Sequence, residues 1–315
     1  MFPKMLVPLD GSELAESVIP CAQEIVASLG SQLIFLHVAI PGDSRSHMLR
    51  IYLDHTAGKV RHQLTERLKG DKEVGKGRNP FKVKGSLRSG NPAEEILRYA
   101  EKNEIDLIAM ATHGRSGISR WVLGSVADRI KEAADTPVLL LRSQSPLGTP
   151  ICRGAFARIL VPLDGSAWGE ACLPVVKGLA SRTGAEIILF QAIQNAGDLT
   201  ANPGPDAGGR PPTEGQSRKK TPETAAGKKL ARLRADAQRY LEAKAADLGG
   251  LNVKCHLVPG ELGEATIESA VRFEADLIAM PTHGRKGIDR WIMGSIADRV
   301  LHGSDRPVLL VRIKD

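Results

Sequence analysis

The segment LVPLDGS at residues 6–12 recurs letter for letter at residues 160–166, an offset of 154 residues. A second segment, DLIAM at residues 106–110, recurs at residues 276–280 with an offset of 170 residues. Over the 33 positions that begin at Met110, about 20 are identical between the two copies. The chain therefore contains one domain twice, and the change of offset gives the second copy a net insertion of 16 residues in its middle.

Each copy alternates short apolar segments, which we predict as strands, with segments of helical periodicity. The predicted strands are Lys4–Pro8, Gln32–Val38, Phe81–Leu87, Ile105–Met110, Val138–Arg142, Arg158–Pro162, Glu186–Ala192, Asn252–Val258, Asp276–Met280 and Val308–Arg312. The predicted helices are Leu14–Leu29, Met48–Leu68, a helix that begins after Asn91-Pro92, Ser125–Ala134, Cys172–Ser181, Lys229–Leu248, Glu264–Arg272 and Ser295–Leu301. Apolar strands that alternate with helices form a parallel sheet covered on both faces. We therefore predict an α/β fold of two three-layer α/β/α sandwich domains, each with a five-stranded parallel sheet.

Domain limits follow from the repeat and from local composition. We place the first domain at residues 1–143, a linker rich in proline and glycine at 144–156, and the second domain at 157–315. Within the second domain, residues 195–227 are one-third glycine plus proline and otherwise polar, which predicts a disordered insertion. We interpret this segment as a tolerated surface insertion, with a role in regulation or partner binding left open.

Composition excludes several classes of function. The low aromatic content, 4%, argues against a platform on which single-stranded nucleic acid stacks. The net charge of +7 favours anionic partners, but the basic residues form no cluster backed by a DNA-reading helix, so no nucleic-acid partner is expected. No segment approaches the ~18 apolar residues of a membrane span. The four cysteines lack CxxC or zinc-site spacing, which indicates reduced thiols in a cytoplasmic protein without a metal site.

Candidate ligand-binding residues follow the predicted strands, where open α/β sheets bind ligands. Asp10 follows the first strand, and Asp164 follows its equivalent. The segments at residues 111–117 and 281–287 follow the fourth strand of each copy, and Gly124-Ser125 and Gly294-Ser295 then open helices. We interpret these residues as a nucleotide site. Gly114 permits close backbone approach, Arg115 and Arg285 neutralise phosphate, Ser125 is a hydroxyl N-cap beside free helix N–H groups, and each aspartate faces the nucleoside end.

Other interpretations stand beside this one. Asp10 could simply cap the turn before the first helix. His113 and His283 could form a zinc or catalytic pair, although no second ligand or nucleophile stands at a matching spacing, so a structural role or a nucleotide contact is favoured.

With these residues in hand, the chain resembles the universal stress protein family in its tandem form. The resemblance covers both halves apart from the linker and the insertion. The segments that carry it are VPLDGS at residues 7–12, LHV at 36–38, GNPAEEI at 90–96, THGRSG at 112–117 and GSV at 124–126. It implies a Rossmann-like fold of the adenine nucleotide alpha hydrolase type, and it implies ATP as cofactor, with Mg²⁺ left open.

The resemblance also implies which residues bind the nucleotide. Pro8, Asp10, Val38, Met110 and Ala111 would line adenine and ribose, and His113, Gly114, Arg115, Gly124, Ser125 and Val126 would hold phosphates. The second copy offers Pro162, Asp164, Ala192, Met280, His283, Gly284, Arg285, Gly294, Ser295 and Ile296. ATP-binding members carry a signature of Gly, two residues, Gly, nine residues and then Gly-Ser or Gly-Thr. Its first glycine is replaced here by Ala111 and Pro281. The proline puts the second site in more doubt because it lacks an N–H donor and fixes φ.

The resemblance further implies that the two last strands, Val138–Arg142 and Val308–Arg312, pair in an intramolecular pseudo-dimer, with a homodimer of chains left open. We predict a non-catalytic ATP-binding stress-response protein whose nucleotide occupancy adjusts conformation or partner binding. The alternatives are a weak ATPase and a scaffold with vestigial sites. Against an enzyme, the sequence has no GxxxxGK[ST] phosphate loop and no carboxylates paired for Mg²⁺.

Overall fold

The computed structural model describes residues 2–69, 81–112, 124–142, 156–193, 225–282 and 294–312. Its elements follow the predicted order in both halves. The first half contains β1 (Lys4–Pro8), α1 (Glu13–Glu16), α2 (Ile19–Leu29), β2 (Gln32–Ala39), α3 (Ser46–Lys69), β3 (Val83–Ser89), α4 (Pro92–Lys102), β4 (Leu107–Thr112), α5 (Ser125–Ala133) and β5 (Val138–Arg142). The second half contains β6 (Arg158–Leu163), a 3-10 turn (Gly169–Cys172), α6 (Leu173–Thr183), β7 (Glu186–Ile193), α7 (Ala225–Asp247), β8 (Val253–Pro259), α8 (Leu262–Arg272), β9 (Leu277–Pro281), α9 (Ser295–Gly303) and β10 (Val308–Val311).

The ten strands form one continuous sheet in the order β3-β2-β1-β4-β5-β10-β9-β6-β7-β8. Neighbouring strands within each half are parallel. The two halves meet at an antiparallel pair, β5 with β10, in which Val308 lies opposite Leu140 and Leu310 lies opposite Val138. We call this pair the seam. The prediction of five parallel strands in each half is confirmed, and so is the pairing of the two last strands, which joins the halves into one sheet.

A hydrophobic core lies on each face of the sheet, and both cores run across the seam. One contains Ile25 of α2 and Leu53 of α3, together with residues of α6 and α7. The other contains Ile96 of α4 and Ile130 of α5, together with residues of α8 and α9. On the first face a cavity of only about 10 Å³ is lined by four equivalent pairs: Phe2 and Phe156, Ile25 and Leu179, Leu107 and Leu277, and Leu139 and Leu309. Such a small apolar space leaves the junction of the halves tightly packed.

Proline divides the first helix of each half. The sequence predicts one helix over Leu14–Leu29, but the structure has two, α1 and α2. Pro20 lies in the first turn of α2, and in a continuous helix its ring would clash with the carbonyl of Glu16. Pro174 takes the same place in α6, so the predicted helix start at Cys172 belongs instead to a 3-10 turn. A proline in the first helical turn costs little, because its missing N–H would have no partner there.

The predicted linker and insertion lie mostly outside the described residues, and one end of each is corrected. Phe156, assigned to the linker, is 2% exposed and belongs to the core, where it is the equivalent of Phe2. Residues 225–227, assigned to the insertion, form the start of α7. Two alanines open this stretch, and alanine has the highest helix propensity, so the helix extends beyond the predicted limit.

Among the three cysteines that the structure describes, one differs from the prediction. Cys172 and Cys255 are free thiols, whereas Cys21 is disulfide-bonded. The expectation that all four are reduced is therefore wrong at Cys21, because spacing along a chain does not show which cysteines meet in space. Within the described ranges, no helix combines the length and the apolar character needed to cross a membrane.

Candidate functional site

The strand order places a crevice at one end of each half of the sheet. β1 lies between β2 and β4, and the chain passes from β1 through β2 to β3 before it crosses to β4 on the other side. In open α/β sheets such a reversal marks the crevice beyond the carboxyl ends of the strands in which ligands bind, so we expect the site beyond the ends of β1 and β4. The loop after β1 and the start of α5 both lie at this end, because α5 connects two parallel strands. The second half repeats the arrangement with β6, β9 and α9.

The aspartate after the first strand has the same hydrogen bonds in both halves. Oδ1 of Asp10 accepts from the backbone N–H of Ser12 at 2.9 Å and from its hydroxyl at 2.6 Å. Oδ1 of Asp164 accepts from Ser166 at 2.9 and 2.5 Å. Asp10 thus caps the turn, and its role in ligand binding stays a prediction. These bonds within the turn go to Oδ1 alone. Oδ2 of each carboxylate is therefore the atom that could accept a hydrogen bond from a ligand hydroxyl.

These bonds set the ionisation of the first aspartate. Burial acts to raise the pKa of Asp10, but the bonds from the hydroxyl and the backbone N–H of Ser12 outweigh it, and the pKa lies below its ordinary value. The carboxylate therefore keeps its charge under physiological conditions.

This lowered pKa predicts how stability depends on pH. The stabilising effect of ionised Asp10 is fully present above the unfolded-state pKa, near 3.9, and is lost as the pH falls through the lower folded-state value. Asp10→Asn keeps the acceptor oxygen and removes the charge, so it should lower the free energy of unfolding at pH 6 by at most about 0.5 kcal/mol. Urea unfolding at pH 6 and pH 3 measures this. A difference between variant and parent that widens toward pH 3 would contradict it.

The start of α5 leaves its first backbone N–H groups without a side-chain cap. Gly124 is the N-cap, with φ −65° and ψ 149°, and no described side chain bonds to the first turn. The prediction that Ser125 is the cap is wrong, because Ser125 is already the first helical residue and extended backbone stops at Gly124. α9 begins in the same way after Gly294. Uncapped N–H groups at the positive end of a helix dipole form a site suited to phosphate.

Apolar predicted residues gather on one face of the sheet beside this helix start. Met110 is buried in the core that contains α4 and α5, and Val38 and Val126 pack against it, half-buried. Met280, Ala192 and Ile296 have the same places in the second half. Pro8 and Pro162 lie in β1 and β6 at the carboxyl ends of those strands. Ala111 differs, because alternation along β4 turns its side chain to the opposite core.

The two halves differ at the end of their fourth strand. Ala111 of β4 lies opposite Leu141 of β5, and Pro281 of β9 lies opposite Val311 of β10. In the second half the N–H of Gly294 donates to the carbonyl of Thr282 at 3.0 Å. The second site therefore has a proline without an N–H and a glycine N–H already bonded within the protein. Of the other predicted residues, His113, Gly114, Arg115, His283, Gly284 and Arg285 lie outside the described residues, and their roles stay predictions.

Comparison with known proteins agrees with this two-part architecture. The family model described as the universal stress protein family matches residues 1–142 and again residues 155–312. The chain belongs to the universal stress protein family. A family member from Methanocaldococcus jannaschii is 28% identical over 163 residues, which cover 46% of this chain and 98% of the relative. A family member from Mycobacterium tuberculosis is 25% identical over 230 residues, which cover 73% of this chain and 69% of the relative.

A solved structure shares the fold over its whole length. The crystal structure of a universal stress protein from Archaeoglobus fulgidus superposes with a TM-score of 0.63 and 20% identity, covering 99% of both chains. At that identity the likeness concerns the fold alone. The shared fold covers both α/β halves of this chain.

Sequence reasoning missed a polar group beneath each site of this universal stress protein. The Tyr52 hydroxyl donates to Oε1 of Glu16 at 2.7 Å, and the Tyr240 hydroxyl donates to Oε1 of Glu170 at 3.0 Å. Burial and then the carboxylate raise the pKa of each tyrosine. His37 is also buried here, on the face opposite Val38, and contributes to the lowered pKa of Asp10. Glu16 and Glu170 recur at the 154-residue offset, but Tyr52 and Tyr240 are 188 residues apart, which matches neither offset of the repeat. The sequence therefore carried only the glutamate half of the signal.

Proposed function

We propose that this universal stress protein is a non-catalytic ATP-binding protein whose nucleotide occupancy adjusts its conformation or its binding of a partner. The start of α5 carries the proposal. No side chain of the described residues caps its first-turn N–H groups, and the helix starts at the end of the sheet where β1 and β4 finish. Phosphate is the ligand chemistry that matches uncapped N–H groups at a helix N-terminus.

The remainder of the crevice suits a nucleoside. Val38, Met110 and Val126 supply an apolar surface for a base on one face of the sheet. Asp10 stays ionised, and its Oδ2 can accept a hydrogen bond from a ribose hydroxyl. A carboxylate would repel phosphate, so the ribose lies at Asp10 and the triphosphate at α5. Mg²⁺, where present, would be held by the phosphates of ATP, its usual ligands in nucleotide sites.

We assign weaker binding to the second site. It repeats the aspartate, the uncapped helix and the apolar residues. However, Pro281 offers no N–H at the strand end, and Gly294 already donates to Thr282. Fewer backbone donors for phosphate mean a lower affinity.

Two measurements test this function. Purified protein is denatured, and its supernatant is resolved on a nucleotide-separating column, where we expect one or two equivalents of ATP.

Titration calorimetry with Mg²⁺-ATP then compares the parent with Asp10→Ala. The variant should bind ATP about tenfold more weakly, because it loses one charge-assisted hydrogen bond of ~1.4 kcal/mol. Absence of nucleotide and of any heat would favour a scaffold. Steady release of ADP would favour an ATPase and would overturn the non-catalytic assignment.

A further inference from the structure

α5 and α9 each run from a candidate phosphate site to the seam, where the other half holds them. Nη1 of Arg312 donates to the carbonyl of Ala133, the last residue of α5, at 3.1 Å, and pairs with Asp135 at 2.7 Å. In the equivalent arrangement Arg142 pairs with Asp305, just beyond α9. Arg312 therefore contacts the end of α5, and Arg142 contacts the loop that follows α9.

A lysine adds a contact between these helices that the repeat does not duplicate. Nζ of Lys131 in α5 lies 2.8 Å from Oδ1 of Asp128 and 3.9 Å from Oδ1 of Asp298 in α9. The lysine side chain is only 6% exposed. At the equivalent position α9 has Leu301, which is fully buried. One buried ammonium group is thus shared by two carboxylates, one from each half.

Both carboxylates lie in the first turn of a phosphate-site helix. The N–H of Asp128 donates to the carbonyl of Gly124 at 2.9 Å, and the N–H of Asp298 donates to the carbonyl of Gly294 at 3.0 Å. A negative charge one turn from a polyphosphate weakens its binding, and a cation that neutralises this charge strengthens it. Because the ammonium is buried, solvent and salt screen these interactions less than they would at the surface.

We propose that Lys131 couples the two nucleotide sites negatively, as a counter-ion that both sites need. This rests on the proposed function. Phosphate bound at α5 attracts the ammonium toward Asp128, which leaves Asp298 less neutralised and lowers the affinity at α9. Linkage requires the reciprocal effect of the second site on the first. We expect about a fivefold effect, at the low end of the usual range for coupled sites, because each aspartate is about half exposed.

Among the described residues, His302 is a further titratable group beside this cluster. Nδ1 of His302 lies 3.4 Å from Oδ2 of Asp298 and 2.7 Å from the Asp298 carbonyl. A charged imidazole would supply a second cation to Asp298. The experiment is therefore done at one fixed pH, so that the charge of this imidazole is held the same for every variant.

The coupling is measured on the full chain by titration calorimetry with Mg²⁺-ATP. We measure the dissociation constant of the second site in two proteins. In the parent the first site fills beforehand, and in Gly124→Gln the first site is closed without an added charge. The ratio is the constant in the parent divided by the constant in Gly124→Gln. We expect a ratio of about five. In a Lys131→Leu background, which copies the residue found at position 301, the ratio should fall to about one.

A double exchange, Lys131→Leu with Leu301→Lys, moves the ammonium to the equivalent place in α9 and should restore the ratio. A merely structural role for Lys131 would change stability in these variants and leave the ratio unaltered. A ratio near one in the parent, an unchanged ratio in Lys131→Leu, or binding of a single ATP per chain overturns the coupling and leaves the proposed function intact. Failure of every variant and of the parent to bind ATP overturns both.

Discussion

Glutamate in place of Gly124 should abolish ATP binding by the first domain while the domain stays folded. Gly124 has φ −65° and ψ 149°, a conformation that any residue adopts, so the backbone is not strained. The new carboxylate would lie at the uncapped N–H groups of α5, where we place the phosphates. It would take those donors and repel the triphosphate, so the affinity should fall at least about 100-fold, or ~2.7 kcal/mol. Titration calorimetry with Mg²⁺-ATP measures this.

The matched control is Gly124→Ala, which adds a methyl group without a charge. It should keep most of the affinity for ATP. The free energy of unfolding of both variants should lie within about 1 kcal/mol of that of the parent. Equal ATP affinity in Gly124→Glu and the parent would remove the start of α5 from the site. Gly294→Glu tests the second half in the same way and should have the smaller effect, because that half binds more weakly.

The fold was predictable from the sequence because its signals are local and repeated. Each strand is a short apolar segment, and the same segment recurs in the other copy of the repeat. Lys4–Pro8 and Arg158–Leu163 are one such pair of equivalent strands. The errors occurred where local chemistry competes with periodicity. Pro20 interrupts a pattern that otherwise favours one helix, and Ala225 extends a helix into a segment whose composition predicts disorder.

The candidate site was predictable only in part. Strand ends and helix starts can be read from the chain, so Asp10 was placed just after β1 and Gly124 just before α5, as the structure has them. Hydrogen-bond partners cannot be read in this way. Oδ1 of Asp10 is already bonded within its turn, and the lysine shared across the seam becomes visible only when two helices distant in sequence come together. The disulfide at Cys21 was missed for the same reason.

Aspartate in place of Leu140 should destabilise both halves together. Leu140 is fully buried in the strand β5, between Met110 of β4 and Val308 of β10. A carboxylate there would lose its hydration and find no partner among these apolar neighbours. Such burial should lower the free energy of unfolding by at least about 3 kcal/mol, one of the largest effects of any single substitution. Guanidinium unfolding followed by circular dichroism measures it.

Leu140→Met is the control for shape, since it conserves volume and should cost less than about 1.5 kcal/mol. Ile51→Asp is the control for charge, because Ile51 is 56% exposed on α3, away from the seam, and should change stability by at most about 0.5 kcal/mol. Both cores run across the seam, so the loss in Leu140→Asp should appear as one shifted transition rather than as two. Stability equal to that of Leu140→Met would mean that β5 and β10 are not packed together in solution, and the coupling through Lys131 would then lack its structural basis.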